Sequence, residues 1–214
     1  DANASVFYDC ASLKKVTLPG KVADLQAHVF AECPALTTVI FPKGCETTRI
    51  AYYAFLNSGL TSIDFTNAKG LAIIDHDAFN GCSNLATIKF ADTKNNLEIL
   101  DYAFANTAVE TVDLPSGVIT LGAYAFYNVA NLRAVNLETD SNLQTIGAYA
   151  FNGTALASID FSKAAMLEEI GEYAFCETAI GKIVLADAVT SVGNYAFYGC
   201  ANVTEFKLSS GISN

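Results

Sequence analysis

Phenylalanine recurs along this chain at a nearly constant interval. Nine Phe residues follow an Ala or a Val, and consecutive members of this set are 22 to 25 residues apart. They are Phe7, Phe30, Phe55, Phe79, Phe104, Phe126, Phe151, Phe175 and Phe197. One repeat of about 24 residues over the whole length predicts a single solenoid domain of about nine coils spanning residues 1–214.

Two further apolar patterns keep phase with this Phe. Five positions before it stands an aliphatic residue: Leu25, Ile50, Ile74, Ile99, Leu121, Ile146, Ile170 or Val192. After it comes an alternating triplet: VTL (16–18), VIF (39–41), IDF (63–65), IKF (88–90), VDL (112–114), VNL (135–137), IDF (159–161), IVL (183–185) or FKL (206–208). Alternation with a period of two is typical of a half-buried strand.

Each unit therefore predicts one coil of the solenoid. The triplet strand leads through a turn to a return strand around the aliphatic residue, and a tight helical turn then carries the Phe. No unit can bury its own apolar residues, so the coils must stack, with parallel strands about 4.8 Å apart. In the phrase GAYAF, at 122–126 and 147–151, Gly is expected to make the bend into the turn and Ala to let neighbouring coils pack closely.

Composition narrows the class of partner. Apolar residues make up 52% of the chain, which is enough for a long core. The formal net charge is −10, and Lys and Arg do not cluster along the sequence. Nucleic acid is therefore not expected as a partner. Direct membrane insertion is not expected either, because no apolar run approaches the ~20 residues needed to span a bilayer.

The repeat resembles the BspA-like leucine-rich repeat, a class of roughly 23 residues per unit. The resemblance rests on GKVADLQAHVFAECPALTTVIFP (20–42), SGVITLGAYAFYNVANLRAVNL (116–137) and ADAVTSVGNYAFYGCANVTEFKL (186–208). It covers almost the whole chain, although KGCETTRI (43–50) departs from the pattern. It implies a mostly β, right-handed solenoid with parallel strands on the concave face and short helical turns or irregular segments on the convex side. It also implies proteins of bacterial or protozoan surfaces that bind host or microbial molecules.

Cysteines and histidines predict structural roles. Cys10, Cys33, Cys82 and Cys200 share the position three after the Phe, which Ser, Thr and Val fill in other coils, so this is a small buried packing position. Two alternatives remain for Cys10 and Cys33, a disulfide bridge or two free thiols. Neighbouring coils lie within disulfide distance, but parallel Cβ directions suit the bond badly.

Cys45 and Cys176 lie outside this position and are expected to be exposed and unpaired. The only histidines, His28 and His76, are assigned to surface turns, and no metal site, cofactor or catalytic residue is predicted.

The first candidate binding surface is the concave face. The central residue of each triplet should point away from the core. The middle coils place there Asp64, Lys89, Asp113, Asn136 and Asp160, so that Lys or Asn separates each Asp from the next. Either these five side chains satisfy their hydrogen bonds among themselves on a solvated surface, or they form a polar binding face.

The second candidate surface is a row of tyrosines two positions before the Phe. Five of them come from consecutive coils: Tyr102, Tyr124, Tyr149, Tyr173 and Tyr195. In the structural interpretation, the rings form a stacked row that covers the backbone between coils, and their hydroxyls are hydrated. The functional alternative is an aromatic strip for protein or glycan contact.

The function expected from these features and from the resemblance is binding without catalysis. The chain is expected to be a secreted or surface adhesion module for a protein or glycan of host or microbe. The alternative is a purely structural spacer within a larger surface protein. The start DANASVFYDC lacks the layout of a signal peptide. Neither end carries an evident polar cap, so we expect a segment of a longer protein or end-to-end self-association.

Overall fold

The structure, a computed structural model, describes residues 5–212 and confirms the predicted solenoid of parallel strands. Two kinds of strand alternate along the chain. The triplet strands are β1 (Lys15–Thr17), β3 (Thr38–Ile40), β5 (Ser62–Asp64), β7 (Thr87–Lys89), β9 (Thr111–Leu114), β11 (Ala134–Leu137), β13 (Ser158–Ile159), β15 (Lys182–Val184) and β17 (Glu205–Lys207). The return strands are β2 (Asp24–Leu25), β4 (Arg49–Ile50), β6 (Ile73–Ile74), β8 (Leu97–Ile99), β10 (Val118–Leu121), β12 (Thr145–Ile146), β14 (Glu169–Ile170) and β16 (Ser191–Val192).

The return strands form one continuous parallel sheet of eight strands, in the order β16-β14-β12-β10-β8-β6-β4-β2. Their register places Ile50 opposite Ile74, and Ile74 opposite Ile99. All three side chains are fully buried. Because every coil supplies an aliphatic residue at this position, the sheet has an unbroken apolar inner column.

The triplet strands form four shorter parallel sheets: β1-β3, β5-β7, β9-β11-β13 and β15-β17. Side chains alternate between the core and solvent as predicted; in β5, Ile63 is buried between exposed Ser62 and Asp64. This sheet is therefore interrupted three times, whereas the return sheet is not.

The turn that carries the Phe differs from the predicted helical turn. Within residues 5–212 the one helix is a 3-10 turn at Phe161–Lys163, which follows a triplet strand instead. At GAYAF the backbone amides point alternately to the next coil and to their own turn. The amides of Tyr124 and Phe126 donate to carbonyls of the next coil, those of Ala148 and Ala150, both at 2.8 Å. The amide of Tyr127 donates instead to the carbonyl of Tyr124 in its own turn, at 3.0 Å. The turns thus make a third ladder between coils, and an α-helix would have used these amides internally.

This alternation requires left-handed backbone at two places in each turn. Tyr124 has φ 59° and Asn128 has φ 56°, and the equivalent positions two before and two after the Phe repeat the conformation in other coils. A left-handed non-glycine residue costs about 1–2 kcal/mol. Here both residues direct an amide to the next coil, at 2.8 Å in each case, which offsets that cost.

The glycine of GAYAF has a different role from the predicted bend. Gly147 does not adopt a left-handed φ. A Cβ on Gly147 would lie 2.5 Å from the nitrogen of Ala123 and 2.5 Å from the carbonyl carbon of Gly122 in the preceding coil. Glycine is needed at this position because the backbones of adjacent coils approach too closely for any side chain.

Phenylalanine rings form the centre of the core. Phe104, Phe126 and Phe151 are fully buried, and their ring centroids lie 5.5 and 5.6 Å apart in stacked pairs. The hydroxyl of Thr154, in the buried position three after the Phe, donates to the carbonyl of Phe151 at 2.7 Å. Small polar side chains are therefore accommodated there because the turn offers them a carbonyl.

The six cysteines are free thiols, so Cys10 and Cys33 are not bridged. The expected exposure of Cys45 and Cys176 is wrong, since both are buried. Cys45 donates its thiol to the carbonyl of Asn67 at 3.3 Å, in the irregular turn that the sequence pattern left unassigned. Burial also raises the pKa of the Cys82 thiol to about 11.

Candidate functional site

All five predicted residues of the triplet face are exposed and follow one column along the coils. The strand register places Asp64 beside Lys89 and Asp113 beside Asn136. The predicted separation of the aspartates is therefore present in these pairs, and like charges are not adjacent there.

Two of these aspartates are engaged by their own turns. The Asp64 carboxylate accepts hydrogen bonds from the Thr66 hydroxyl at 2.7 Å and the Thr66 amide at 2.9 Å. Burial raises the pKa of Asp64, but these hydrogen bonds and the charge of Lys89 outweigh it and leave the pKa below its ordinary value. Asp160 accepts equivalent bonds from the Ser162 hydroxyl and amide at 2.6 and 3.1 Å, and the hydroxyl lowers its pKa most.

The remaining pair is engaged across coils. The side-chain amide of Asn136 donates to the Asp113 carboxylate at 2.7 Å. Four of the five side chains on this face, all except Lys89, thus already have hydrogen-bond partners within residues 5–212. Such a surface is stabilised without a ligand, and a ligand would have to compete with these contacts.

The face is not a continuous strip, because open depressions lie where the triplet sheet is interrupted. Asp64 borders one of about 180 Å³ between β3 and β5. Lys89 and Asp113 border another of about 350 Å³ between β7 and β9. Asn136 and Asp160 border a third of about 310 Å³ beside β13 and β15. The structure therefore divides the five predicted residues among three shallow places.

The tyrosine row is continuous. Five rings from consecutive coils stack face to face, with centroids 4.5 to 5.0 Å apart and planes within 17° of parallel. We call Tyr102, Tyr124, Tyr149, Tyr173 and Tyr195 the tyrosine ladder. Its first four rings are half-buried, whereas Tyr195 is 58% exposed.

Other tyrosines flank the ladder edge-on. Tyr127 meets Tyr124 at 5.4 Å, and Tyr198 meets Tyr195 at 5.8 Å, in T-shaped contacts. The positions two before and one after the Phe thus lie close together, although no helix produces this proximity. The ladder and its flanking rings make one ordered aromatic surface.

Towards the N-terminal coils the same position changes character. His28 stacks on Tyr53 at 4.9 Å and meets Tyr52 edge-on at 5.6 Å. Asp77 then takes the position between Tyr53 and Tyr102, and its carboxylate accepts a hydrogen bond from Asn80 at 2.7 Å. Asp77 therefore marks the end of the ladder.

The ladder raises the pKa of several of its own phenols. For Tyr102, Tyr149 and Tyr173 the largest cause is burial, and neighbouring tyrosines add to it. Glu172 contributes further to the rise in the pKa of Tyr149 and Tyr173. These hydroxyls stay protonated at neutral pH and can donate as well as accept hydrogen bonds.

A charged network outside both predicted surfaces was missed from the sequence. Arg49 on the return sheet pairs with buried Asp75 of the next coil and lies 3.6 Å from Asp24 of the preceding one. His76 lies 3.8 Å from both Asp75 and Asp101. The ion pair could have been expected from the sequence, because Asp24 and Arg49 both occupy the position six before the Phe in neighbouring coils. In residues 5–212, no group of three or more His, Cys, Asp or Glu residues is arranged to hold a metal ion.

An asparagine chain between coils was also missed. Asn128 donates to Asn106 at 2.8 Å, Asn106 donates to Asn80 at 2.8 Å, and Asn80 donates to Asp77 at 2.7 Å. Asn106 and Asn128 both lie two positions after the Phe, and this repetition could have indicated the contact from the sequence, whereas Asn80 lies one position after it. These bonds link three coils beside the tyrosine ladder.

Comparison with known proteins agrees with this architecture. The sequence profile of the BspA type leucine rich repeat region matches residues 2–133 and 123–214, in six copies. No protein with curated annotation matches the sequence significantly.

Solved structures of similar fold come from bacteria. The pneumococcal vaccine antigen PcpA superposes with a TM-score of 0.61 at 20% identity, over 95% of this chain and 62% of that one. A leucine rich cell surface protein from Faecalibacterium prausnitzii A2-165 gives 0.54 at 22% identity, over 95% and 62%. A leucine-rich repeat protein from Bacteroides ovatus gives 0.53 at 18% identity, over 93% and 57%. The chain thus spans about three fifths of their length, and at these identities the similarity shows the fold alone.

The described residues 5–212 contain no helix long and apolar enough to cross a membrane. Proteins built from these repeats are generally non-enzymatic and typically serve as surface protein-interaction modules. The repeat profile extends over essentially the entire sequence and agrees with the stacked coils of the structure, and this chain therefore belongs to the BspA-type leucine-rich-repeat family.

Proposed function

We propose that this chain is a non-catalytic adhesion or interaction module that acts at a cell surface or after secretion. Its family membership supports an interaction role. Two proteins of similar fold are described as a vaccine antigen and as a cell surface protein, which supports the location. The partner would be a protein or glycan of host or microbe.

The tyrosine ladder is the observation that carries this proposal. Its rings are already stacked and ordered, so binding would immobilise few side chains that were free before. Tyrosine contributes a large amphipathic contact area with two rotatable angles, and it is enriched among residues that dominate binding energy. The ladder places five adjacent tyrosines on one surface, whereas the five-residue column of the triplet face contains no aromatic side chain.

The geometry of the ladder limits what it can bind. Tyr124, Tyr149 and Tyr173 each have a ring on both sides at 4.5 to 5.0 Å, so a ligand meets their edges and hydroxyls. Stacking of a sugar on an exposed ring face is therefore unfavourable along the interior. The ladder suits a flat partner that accepts and donates hydrogen bonds at a regular spacing.

The triplet face is the second candidate for the same function. Its three depressions favour it, because they offer concave places next to charged side chains. It ranks below the ladder because Asp64, Asp113 and Asp160 already accept hydrogen bonds from within the chain.

The test is attachment of beads coated with the chain to a panel of epithelial cells and bacterial cells. We expect Tyr124→Phe/Tyr149→Phe/Tyr173→Phe, which retains the stack and removes three hydroxyls, to reduce attachment severalfold. The matched control is Tyr52→Phe, which changes an exposed tyrosine outside the ladder. Asp113→Lys tests the triplet face in the same assay.

The outcomes distinguish three roles of the chain: binding through the tyrosine ladder, binding through the triplet face, and a spacer role without binding. Loss with the ladder variant alone supports the ladder, and loss with Asp113→Lys alone moves the site to the triplet face. If wild-type beads attach no better than uncoated beads to every cell tested, the binding proposal fails and a spacer role replaces it.

A further inference from the structure

Four lysines from successive coils are brought to one corner of the solenoid, at the turn after the triplet strand. They are Lys21, Lys43, Lys69 and Lys94, which lie 22, 26 and 25 residues apart in the sequence. All four are exposed. We call this corner the lysine edge, and it corrects the expectation that basic residues do not cluster.

Hydrogen bonds between coils define the alignment of the edge. The amide of Glu46 donates to the carbonyl of Gly20 at 2.8 Å, which holds the turn of Lys43 against the turn of Lys21. The Asn95 side chain donates to the carbonyl of Lys69 at 2.5 Å, which holds Lys94 beside Lys69. With coils about 4.8 Å apart, the four turns that carry these lysines extend over roughly 15 Å along the solenoid axis.

Positive charge prevails locally although the chain as a whole carries −10. Among residues 5–212, no carboxylate forms an ion pair with any of the four lysines. Exposed acids near the edge are Glu46, beside Lys21, and Asp92, two residues before Lys94. Four cations against two acids leave a net excess of two positive charges in this short strip.

The centre of the edge is concave. A depression of about 320 Å³ is lined by Lys43, Gly44, Cys45, Asn67 and Lys69. Cys45 is buried and donates to the Asn67 carbonyl, and Asn67 donates to the carbonyl of Phe41 at 2.9 Å, so hydrogen bonds join the two coils at the floor of the depression. An anionic group seated here would lie against Lys43 and Lys69, with a further lysine in the next turn on each side.

We propose that the lysine edge binds a linear acidic polysaccharide, whose carboxylate or sulfate groups recur along an extended chain. A row of point charges with flexible stems suits such a ligand, because each lysine can adjust to the spacing of the acidic groups. The site is separate from the tyrosine ladder and does not depend on it.

A nucleic acid fits this corner less well. Proteins that bind single strands combine a basic track with aromatic side chains that stack on the bases. The tyrosines of the chain lie in the turns that carry the repeated Phe, and none lines the depression between Lys43 and Lys69. Arginine, which reads guanine in duplex DNA, is also absent from the edge.

The proposal is tested by measuring affinity for heparin, dextran sulfate and hyaluronan over a range of salt concentrations, with neutral dextran and a poly-dT oligonucleotide as comparisons. We expect binding to the acidic polysaccharides that weakens as salt rises, since each contacted anionic group releases counterions. Lys43→Gln/Lys69→Gln should weaken binding at least tenfold and reduce the slope of log K against log salt by about half.

The matched control is Lys14→Gln/Lys207→Gln, which makes the same change in net charge at two exposed lysines elsewhere. It should leave both affinity and slope close to those of the wild type. Equal losses in the two variants, or no binding to any acidic polysaccharide at low salt, would overturn the proposal. Tighter binding to poly-dT than to the polysaccharides would overturn it in favour of nucleic acid.

Discussion

The rings of Tyr124 and Tyr149 lie 4.8 Å apart and within 2° of parallel. This distance is the spacing of hydrogen-bonded β-strands, and the amide of Tyr124 donates to the carbonyl of Ala148 at 2.8 Å. The backbone ladder of the turns therefore determines the spacing of the rings. A tyrosine in this position must stack whenever the next coil also supplies one.

The first prediction concerns alkaline pH. The pKa of Tyr102, Tyr149 and Tyr173 is raised in the folded chain, so the unfolded chain loses these phenolic protons first. Their contribution to stability is complete below the ordinary value of about 10 and is lost as pH rises through the folded pKa. Urea midpoints should fall above about pH 10, and the Tyr102→Phe/Tyr149→Phe/Tyr173→Phe variant should show a smaller decrease. An identical decrease in the variant would contradict the assignment.

The second prediction concerns the close approach of coils at glycine. Gly147→Ala should destabilise the chain by about 1–3 kcal/mol, because its Cβ would lie 2.5 Å from backbone atoms of the preceding coil. Gly20→Ala is the control, since a Cβ there meets no atom within 4 Å. Urea unfolding of both variants measures the difference. Equal stability of the two would rule out close approach as the reason for glycine.

The third prediction concerns acid pH. The pKa of Asp64 is below its ordinary value in the folded chain, so its contribution to stability is present above about pH 4 and is lost as pH falls through the folded pKa. Thermal melting of Asp64→Asn should show lower stability than wild type at pH 7, with the gap closing in strong acid. A gap that stays constant with pH would exclude the Thr66 contacts as its origin.

The fourth prediction concerns thiol accessibility. Cys33, Cys45, Cys82 and Cys176 are buried, whereas Cys10 and Cys200 are partly exposed. A thiol-labelling reagent should therefore modify two groups quickly in the folded chain and all six after denaturation. Cys82 should react most slowly, because its pKa of about 11 leaves little thiolate at neutral pH. Fast labelling of Cys45, identified by mass spectrometry, would contradict its burial.

The fifth prediction concerns self-association through the end coils. Phe7 is 44% exposed and Phe206 is 48% exposed, and apolar side chains at both ends can be covered by another copy. Sedimentation velocity of the chain should show association that increases with concentration, and Phe206→Lys should reduce it. Val184→Lys, a change on the side of the solenoid, should not. A monomer at all concentrations would remove end-to-end self-association as a property of the chain.

Much of the architecture follows from spacing alone. Phe126 and Phe151 occur in the same phrase, 25 residues apart, and a repeat of that length can bury both rings only by stacking them. The same phase identified the exposed column through Asp64 and Lys89 and the consecutive tyrosines. Periodicity determines which side chains are neighbours, since one position per coil becomes one column.

Local conformation was less predictable. The turn at Tyr124 looked helical because Tyr and the residue three later share a face, yet left-handed backbone gives the same proximity. The role of Gly147 depends on how closely the next backbone approaches, and this distance is absent from any single repeat. The irregular segment around Cys45 could not be placed because it breaks the phase on which every other assignment rested.

The sequence by itself determined the solenoid, its two kinds of strand and the identity of each column, because a constant period forces equivalent residues into register. Tertiary structure alone decided which columns of side chains form hydrogen bonds between coils and which remain exposed to solvent without such partners. It joined Asn136 to Asp113 at 2.7 Å, and it gathered Lys43 and Lys69 around one depression. Contacts between coils depend on side-chain directions and on irregular turns, and these arise only when the coils are stacked.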